Sequence, residues 1–179
     1  MRVASDASAA RPSRIAGGAG LLILENGFLS GAIGALVVAV WFVILDVLQG
    51  RPFFTPSLLG SVVFSGASAD QVDSVDVVMV FAYSGLHGML FVAWGTAIAL
   101  VFSQLEKRPE FGVILVMLFV LCEAVIFGLE VTIVPRLVGL LGAVQVGVAN
   151  LLAAVAMFWF LLGRHPGVME RLKRAWNEG

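Results

Sequence analysis

The segment at residues 111–134 (FGVILVMLFVLCEAVIFGLEVTIV) is apolar enough to cross a bilayer, yet it contains two carboxylates, Glu123 and Glu130. They are seven residues apart, just under two helical turns, so both leave the same face of a helix. A carboxylate at the bilayer centre costs roughly 2.5–3.5 kcal/mol even on the scale derived from membrane insertion. Other helices must therefore cover this face and give it polar partners. The segment predicts a helical membrane protein built around a buried acidic site.

The composition of the whole chain indicates the same class. Of its 179 residues, 60% are hydrophobic and 13% are charged, whereas about 25% of the residues in an ordinary soluble domain are charged. The net charge of −1 gives no general attraction to nucleic acid, so no nucleic-acid partner is expected. The single cysteine, Cys122, cannot form an internal disulfide and is expected to act as a small apolar residue.

Four apolar segments predict an all-α membrane fold, a four-helix transmembrane bundle within residues 21–163. Each segment reaches the length of about 20 residues that a bilayer requires. The expected spans are residues 28–48, 77–104, 111–134 and 137–163.

The connection between the first two spans predicts a short interfacial or re-entrant segment. Pro52 and Pro56 prevent the first helix from continuing, and Thr55 followed by Pro56 is typical of a helix cap and first-turn proline. The apolar piece at residues 57–64 is too short to span, so we expect it to lie over the mouth of the bundle. Asp70, Asp73 and Asp76 then predict a solvated acidic start to the next helix.

Small residues at spacings of four predict where the helices approach one another closely. They are Gly31, Ala35 and Ala39 in the first span, Ser84 and Gly88 in the second, and Gly139, Ala143 and Gly147 in the fourth. The tryptophans Trp41, Trp94 and Trp159 are expected to be interfacial anchors or lipid-facing bulk.

The basic residues predict the orientation. Nine of the eleven precede the first span, lie between the second and third, or follow the fourth, and only Arg51 and Arg136 lie in the other two loops. With four spans, both termini are then cytoplasmic in a multi-pass protein of the bacterial inner (plasma) membrane. Residues 1–20 are expected to be a flexible cytoplasmic tail, and residues 164–179 an interfacial cytoplasmic tail.

This topology brings polar residues of several helices to similar depths. His87 lies ten residues beyond Val77, about 15 Å deep at the rise of an α-helix. His87, Glu123 and Asn150 are predicted near the midplane. Glu130, Tyr83, Gln145 and Asp46 are predicted about one to two turns nearer the outer face.

Three kinds of ligand fit such a cluster. A single metal ion could be bound by His87, Glu123, Glu130 and Asp46, although a di-metal centre would need two Glu-x-x-His pairs that the chain lacks. A bis-histidine haem is disfavoured because His87 is the only deep histidine. Protons or a quinol could be handled by His87 and Glu123, with Asp46, Tyr83 and Asn150 in support. The same residues could also satisfy one another as packing contacts, worth about 0.6 kcal/mol per interhelical hydrogen bond.

Two segments, residues 50–60 (GRPFFTPSLLG) and 148–154 (VANLLAA), resemble a group of uncharacterised bacterial four-helix membrane proteins. The resemblance covers roughly residues 46–166, including the deep histidine and the acid of the third span. It implies the fold and the topology but no established activity. The chain lacks the paired cysteines of quinone-linked disulfide enzymes and the paired histidines of haem-binding helical bundles.

The leading hypothesis is a binding or redox-associated membrane protein whose buried cluster holds a metal ion, a quinol or protons. One alternative is a non-catalytic accessory subunit of a larger membrane complex, in which the cluster only fixes helix packing. Another is a small proton-coupled transporter with Glu123 as the coupling acid. The expected partners are the lipid bilayer and either other subunits or further copies of the chain.

Overall fold

A computed structural model describes residues 11–107, 117, 142–168 and 170 of the chain. These residues form helices and turns, with no strand among them. The helices are α1 (Arg11–Leu48), α2 (Phe54–Ser65), α3 (Val77–Lys107) and α4 (Ala143–Arg164), with a 3-10 turn at Ala69–Gln71 between α2 and α3. The all-α prediction is confirmed for this part of the chain.

Three of the helices are long and apolar enough to cross a membrane, over Gly20–Leu48, Val77–Leu105 and Val144–Arg164. They correspond to the first, second and fourth predicted spans. Large apolar side chains on them face outward, with Phe81 74% and Trp159 75% exposed, which suits lipid better than water. The third predicted span, with Glu123 and Glu130, lies outside the described residues.

The first helix is longer than its predicted span. It begins at Arg11, within the segment expected to be a flexible tail, and continues for 38 residues. At 1.5 Å per residue it is about 57 Å long, whereas the hydrocarbon core of a bilayer is about 30 Å thick. α1 is therefore much longer than the hydrocarbon core is thick, and part of it would extend outside the core.

Glycines bring α1 and α3 into close contact. A Cβ atom on Gly27 would come within 2.5 Å of the Cα atom of Thr96, and one on Gly31 within 2.5 Å of the Cα atom of Val92. From the opposite side, a Cβ on Gly95 would meet the backbone of Gly27 and Gly31. Because no side chain separates the two backbones here, this is where the two helices cross most tightly.

The pairing of α1 with α4 uses a different ridge from the predicted one. Among the described residues, no atom lies within 4 Å of a Cβ placed on Gly147, whereas Ala149, Ala153 and Met157 are 0–3% exposed. Ala149 and Ala153 pack beside Val38 and Trp41 of α1. The predicted ridge at Gly147 is therefore not the one that contacts α1, because Ala149 and Ala153 supply an equally small surface turned toward α1.

Trp41 differs from its predicted role as an anchor or lipid-facing residue. It is half-buried, and its indole Nε1 donates a hydrogen bond of 3.1 Å to the carbonyl oxygen of Gln145 in the first turn of α4. Trp159 is exposed, as expected, whereas Trp94 packs against the cluster formed by α3 and α4.

The contacts fix the relative directions of the helices. Along α1, Gly27 and Gly31 lie beside Thr96 and Val92 of α3, so those two helices are antiparallel. Trp41 lies beside Gln145 and Gly34 beside Met157, so α1 and α4 are antiparallel as well. It follows that α3 and α4 run parallel, and the end of α3 and the end of α4 share the apolar cluster that contains Phe102 and Leu161.

The short helix α2 packs against α3, where Gly60 contacts the backbone of Met79. The helical character of the segment between the first two spans is as predicted, but Thr55 is not its N-cap. The capping position is Phe53, in the left-handed region with φ 62°, and Thr55 lies inside the helix. At the start of α3, Asp76 has the helix-capping role that its position predicts, since its Oδ1 accepts from the N–H groups of Val78 (2.8 Å) and Met79 (3.3 Å).

Candidate functional site

A cavity of about 1160 Å³ separates α1 from α3 beyond their glycine crossing. Its walls are mostly apolar side chains such as Phe28, Leu36 and Met89, and α2 closes one end through Pro56 and Leu59. Among the described residues, the polar side chains that line it are Thr55, Tyr83, Ser84 and His87. The cavity therefore combines a large apolar volume with few hydrogen-bonding groups.

His87 is the only imidazole on this cavity wall, and its orientation is fixed by the backbone of α1. Its Nε2 atom lies 3.3 Å from the carbonyl oxygen of Ala35, which can only accept, so Nε2 carries the proton. In a neutral imidazole the other nitrogen, Nδ1, is then an acceptor. His87 can thus receive a hydrogen bond from a hydroxyl group at Nδ1.

Aromatic rings on α3 support the imidazole on both sides. Tyr83 stacks with His87 at a centroid distance of 5.9 Å, and Phe91 lies 4.6 Å away in a tilted arrangement. The three residues recur every four positions and so share one face of the helix. Together with the hydrogen bond to Ala35, these rings restrict the rotamer of His87, so the imidazole has a defined position in the cavity wall.

Asp46 belongs to a different location. It is 4% exposed near the end of α1, eleven residues and about 16 Å along the helix from Ala35. Its Oδ2 accepts from the N–H of Thr55 at 2.8 Å, and its Oδ1 accepts from the Thr55 hydroxyl at 2.6 Å. The structure thus joins Asp46 to the start of α2 and does not bring it beside His87.

The remaining predicted site residues divide into two groups. Asn150 is half-buried on α4, and within the described part of the chain its side chain makes no hydrogen bond. Glu123 and Glu130 lie outside the described residues. Among the residues that are described, no three histidine, cysteine or acidic side chains come together as a metal site. The predicted metal-binding set therefore depends on Glu123 and Glu130.

A second, smaller cavity of about 210 Å³ lies where α1 ends and α2 begins. It is more polar, since Asp46, Gln49, Arg51, Thr55 and Gln145 all line it. Phe42 and Thr55 line both cavities, so the two adjoin.

Sequence reasoning missed two features of these sites. The first is the hydrogen bond between His87 and the carbonyl oxygen of Ala35. It depends on how α1 and α3 are rotated about their axes, and the amino-acid type of residue 35 does not indicate it. The second is the hydrogen bond from the hydroxyl of Thr55 to Asp46, because the sequence predicts a capping role for Thr55. The two residues are nine apart on either side of a turn that contains Pro52, and this spacing could have indicated the contact.

Comparison of the chain with protein-family models, with curated proteins and with solved structures finds no match. The resemblance to uncharacterised four-helix membrane proteins therefore remains a prediction.

Proposed function

We propose that this chain is a four-helix integral membrane protein that binds a lipophilic molecule of the quinol type between α1 and α3. The observation that supports this most directly is the apolar cavity of about 1160 Å³ with an oriented His87 in its wall. Pockets for small molecules are usually apolar, with a few placed polar groups that fix the orientation of the ligand.

The chemistry of the wall favours a quinol over other apolar ligands. A quinol carries ring hydroxyls that can donate to His87 Nδ1, and an isoprenoid tail that suits walls such as Phe28 and Leu36. Tyr83 provides an aromatic surface beside the ring position. A plain acyl chain would leave the polar groups of the cavity unused.

The directions of the described helices support the third predicted span, which would bring the total to four. Because α3 and α4 are parallel, the end of α3 at Lys107 and the start of α4 at Ala143 lie at opposite ends of the bundle. The thirty-five residues at 108–142 must connect these ends, and they include the apolar segment at residues 111–134. In the proposed bundle this segment is the third span, with Glu123 at the depth of His87 as the partner for proton exchange and Glu130 nearer α2.

The orientation completes the proposal. The basic residues favour cytoplasmic termini in a bacterial inner membrane, and with that orientation α2 and the smaller cavity would lie toward the outer face. A metal-bound cluster is less well supported, because Asp46 is engaged by Thr55.

The test is a titration of the purified protein with a short-chain quinol, followed by tryptophan fluorescence. We expect His87→Phe, which keeps an aromatic ring but removes both nitrogens, to weaken binding about tenfold, equivalent to about 1.4 kcal/mol. Glu123→Gln should weaken binding too, or shift its pH dependence. The matched control is His165→Gln, since His165 follows α4 and lies beside Phe102, away from the cavity.

Two results would count against the proposal. If the wild-type protein shows no saturable binding, or if His87→Phe binds the quinol as tightly as wild type, the cavity is not a quinol site. A different pair of results would favour the accessory-subunit hypothesis, in which the hydrogen bond of His87 only holds α3 against α1. In that case the wild-type protein binds no quinol, and His87→Phe only lowers the stability of the protein.

A further inference from the structure

We propose that the smaller, polar cavity is a separate site for the headgroup of a zwitterionic phospholipid with a primary ammonium group, such as a phosphatidylethanolamine. This cavity lies between the end of α1, the first turns of α2 and the start of α4. His87 and Tyr83 do not line it, so the proposal does not depend on quinol binding.

Two opposite charges line this cavity without pairing. Within the described residues, Asp46 accepts hydrogen bonds from the neutral N–H and hydroxyl groups of Thr55. Arg51 donates to Gln49 Oε1 at 3.3 Å and lies over the ring of Phe54 at 4.2 Å. Neither charge has an opposite charge beside it in this part of the chain.

The arrangement is complementary to a zwitterion. Asp46 is only 4% exposed, and a buried carboxylate is stabilised by a cation in addition to neutral donors. An ammonium group directed at Asp46 and a phosphate directed at Arg51 would satisfy both charges at once. The side chains of Gln49 and Gln145 can bind the remaining polar atoms of the headgroup.

Position within the fold favours a lipid over a soluble zwitterion. Asp46 lies two residues before the end of the membrane-spanning part of α1 at Leu48, which is the depth of the headgroups. The apolar side chains of Phe42, Leu45 and Leu58 also line the cavity, and Phe42 is shared with the larger apolar cavity. A lipid can therefore place its phosphate and ammonium here while an acyl chain follows the Phe42 wall.

The experiment is native mass spectrometry of the full-length protein, freed of lipid and titrated with three phospholipids of identical chains. These carry ethanolamine, choline or glycerol headgroups. We expect the ethanolamine lipid to bind at least about tenfold more tightly, because choline cannot donate a hydrogen bond to Asp46 and glycerol carries no cation. Asp46→Asn should remove most of this preference, whereas Arg51→Gln should weaken the binding of all three lipids about tenfold, because each carries the phosphate that Arg51 binds.

The controls are Arg164→Gln and Asp73→Asn, which neutralise one exposed charge of each sign outside this cavity. Circular dichroism verifies that each variant is folded. If Asp46→Asn does not fold, the lipid affinities of Arg51→Gln are used to test the proposal. Equal binding of the three lipids, or an unchanged affinity of Arg51→Gln for all three, would overturn the proposal. Full displacement by soluble phosphoethanolamine near the Kd of the lipid would overturn the assignment to a lipid. Loss of quinol binding in His87→Phe has no bearing on this outcome.

Discussion

The contact between Asp46 and Thr55 shows how a carboxylate is accommodated at the end of a helix that is long and apolar enough to cross a membrane. Thr55 supplies both a backbone N–H and a hydroxyl, so one residue satisfies both oxygens of Asp46. The positive end of the α2 helix dipole also favours a negative charge at this position. Asp46 thus holds α2 over the cavity, and the two helices cannot move apart without breaking both bonds.

Thr55→Val tests the strength of this contact, because it removes the hydroxyl donor and keeps the shape of the side chain. Hydrogen bonds to charged groups contribute about 1.5–3 kcal/mol, and we expect a loss in that range in the free energy of unfolding. Thr96→Val is the matched control, since the Thr96 hydroxyl only bonds the carbonyl of Val92 in its own helix. Denaturation in mixed micelles measures both, and equal losses would mean that the Asp46 contact contributes nothing specific.

For single residues the sequence identified His87 as a candidate site residue but not its partner. The structure places His87 in the wall of a cavity, beside Ala35 near the middle of α1. Its partner, the carbonyl of Ala35, could not be predicted because every residue has a carbonyl. Which one faces His87 depends on the rotation of two helices about their axes.

Among the helices, the crossing of α1 and α3 depends on the absence of side chains at three glycines. The sequence predicted Gly31 as a contact through its spacing with Ala35 and Ala39, and the structure places it against Phe91 and Val92. It did not distinguish between the small residues of the fourth span. Alanine and glycine ridges coexist there, and the choice between them is made by the orientation of α4 against α1.

Gly95→Ala should destabilise the protein by about 1–3 kcal/mol relative to Gly85→Ala, both in α3. A methyl group on Gly95 would meet the backbone of Gly27 and Gly31, whereas one on Gly85 meets nothing within 4 Å. Both replacements gain the same intrinsic helix propensity, about 1 kcal/mol, so the difference isolates the crossing. Thermal unfolding in detergent measures it, and equally stable variants would show that the two backbones are not in close contact.

For the whole molecule, the parallel direction of α3 and α4 predicts which positions lie on the same side of the membrane. In a Cys122→Ser background, single cysteines at Gln104 and Gly167 should react with an impermeant thiol reagent from the same side. A cysteine at Ser74, before α3, should react from the other side. All three positions are exposed. Labelling of Gln104→Cys and Gly167→Cys from opposite sides would mean that residues 108–142 do not cross the bilayer.

The walls of the larger cavity are formed by residues that lie between Phe28 and Ala93, all from α1, α2, α3 and the turns that join them. A nascent chain therefore carries every described wall of this cavity before the ribosome has reached α4. α4 packs against α1 at Val38 and Phe42, which are also wall residues, so α4 contacts these walls only after they have been synthesised. During biogenesis, the packing of α1, α2 and α3 around the cavity can accordingly begin before α4 has been synthesised.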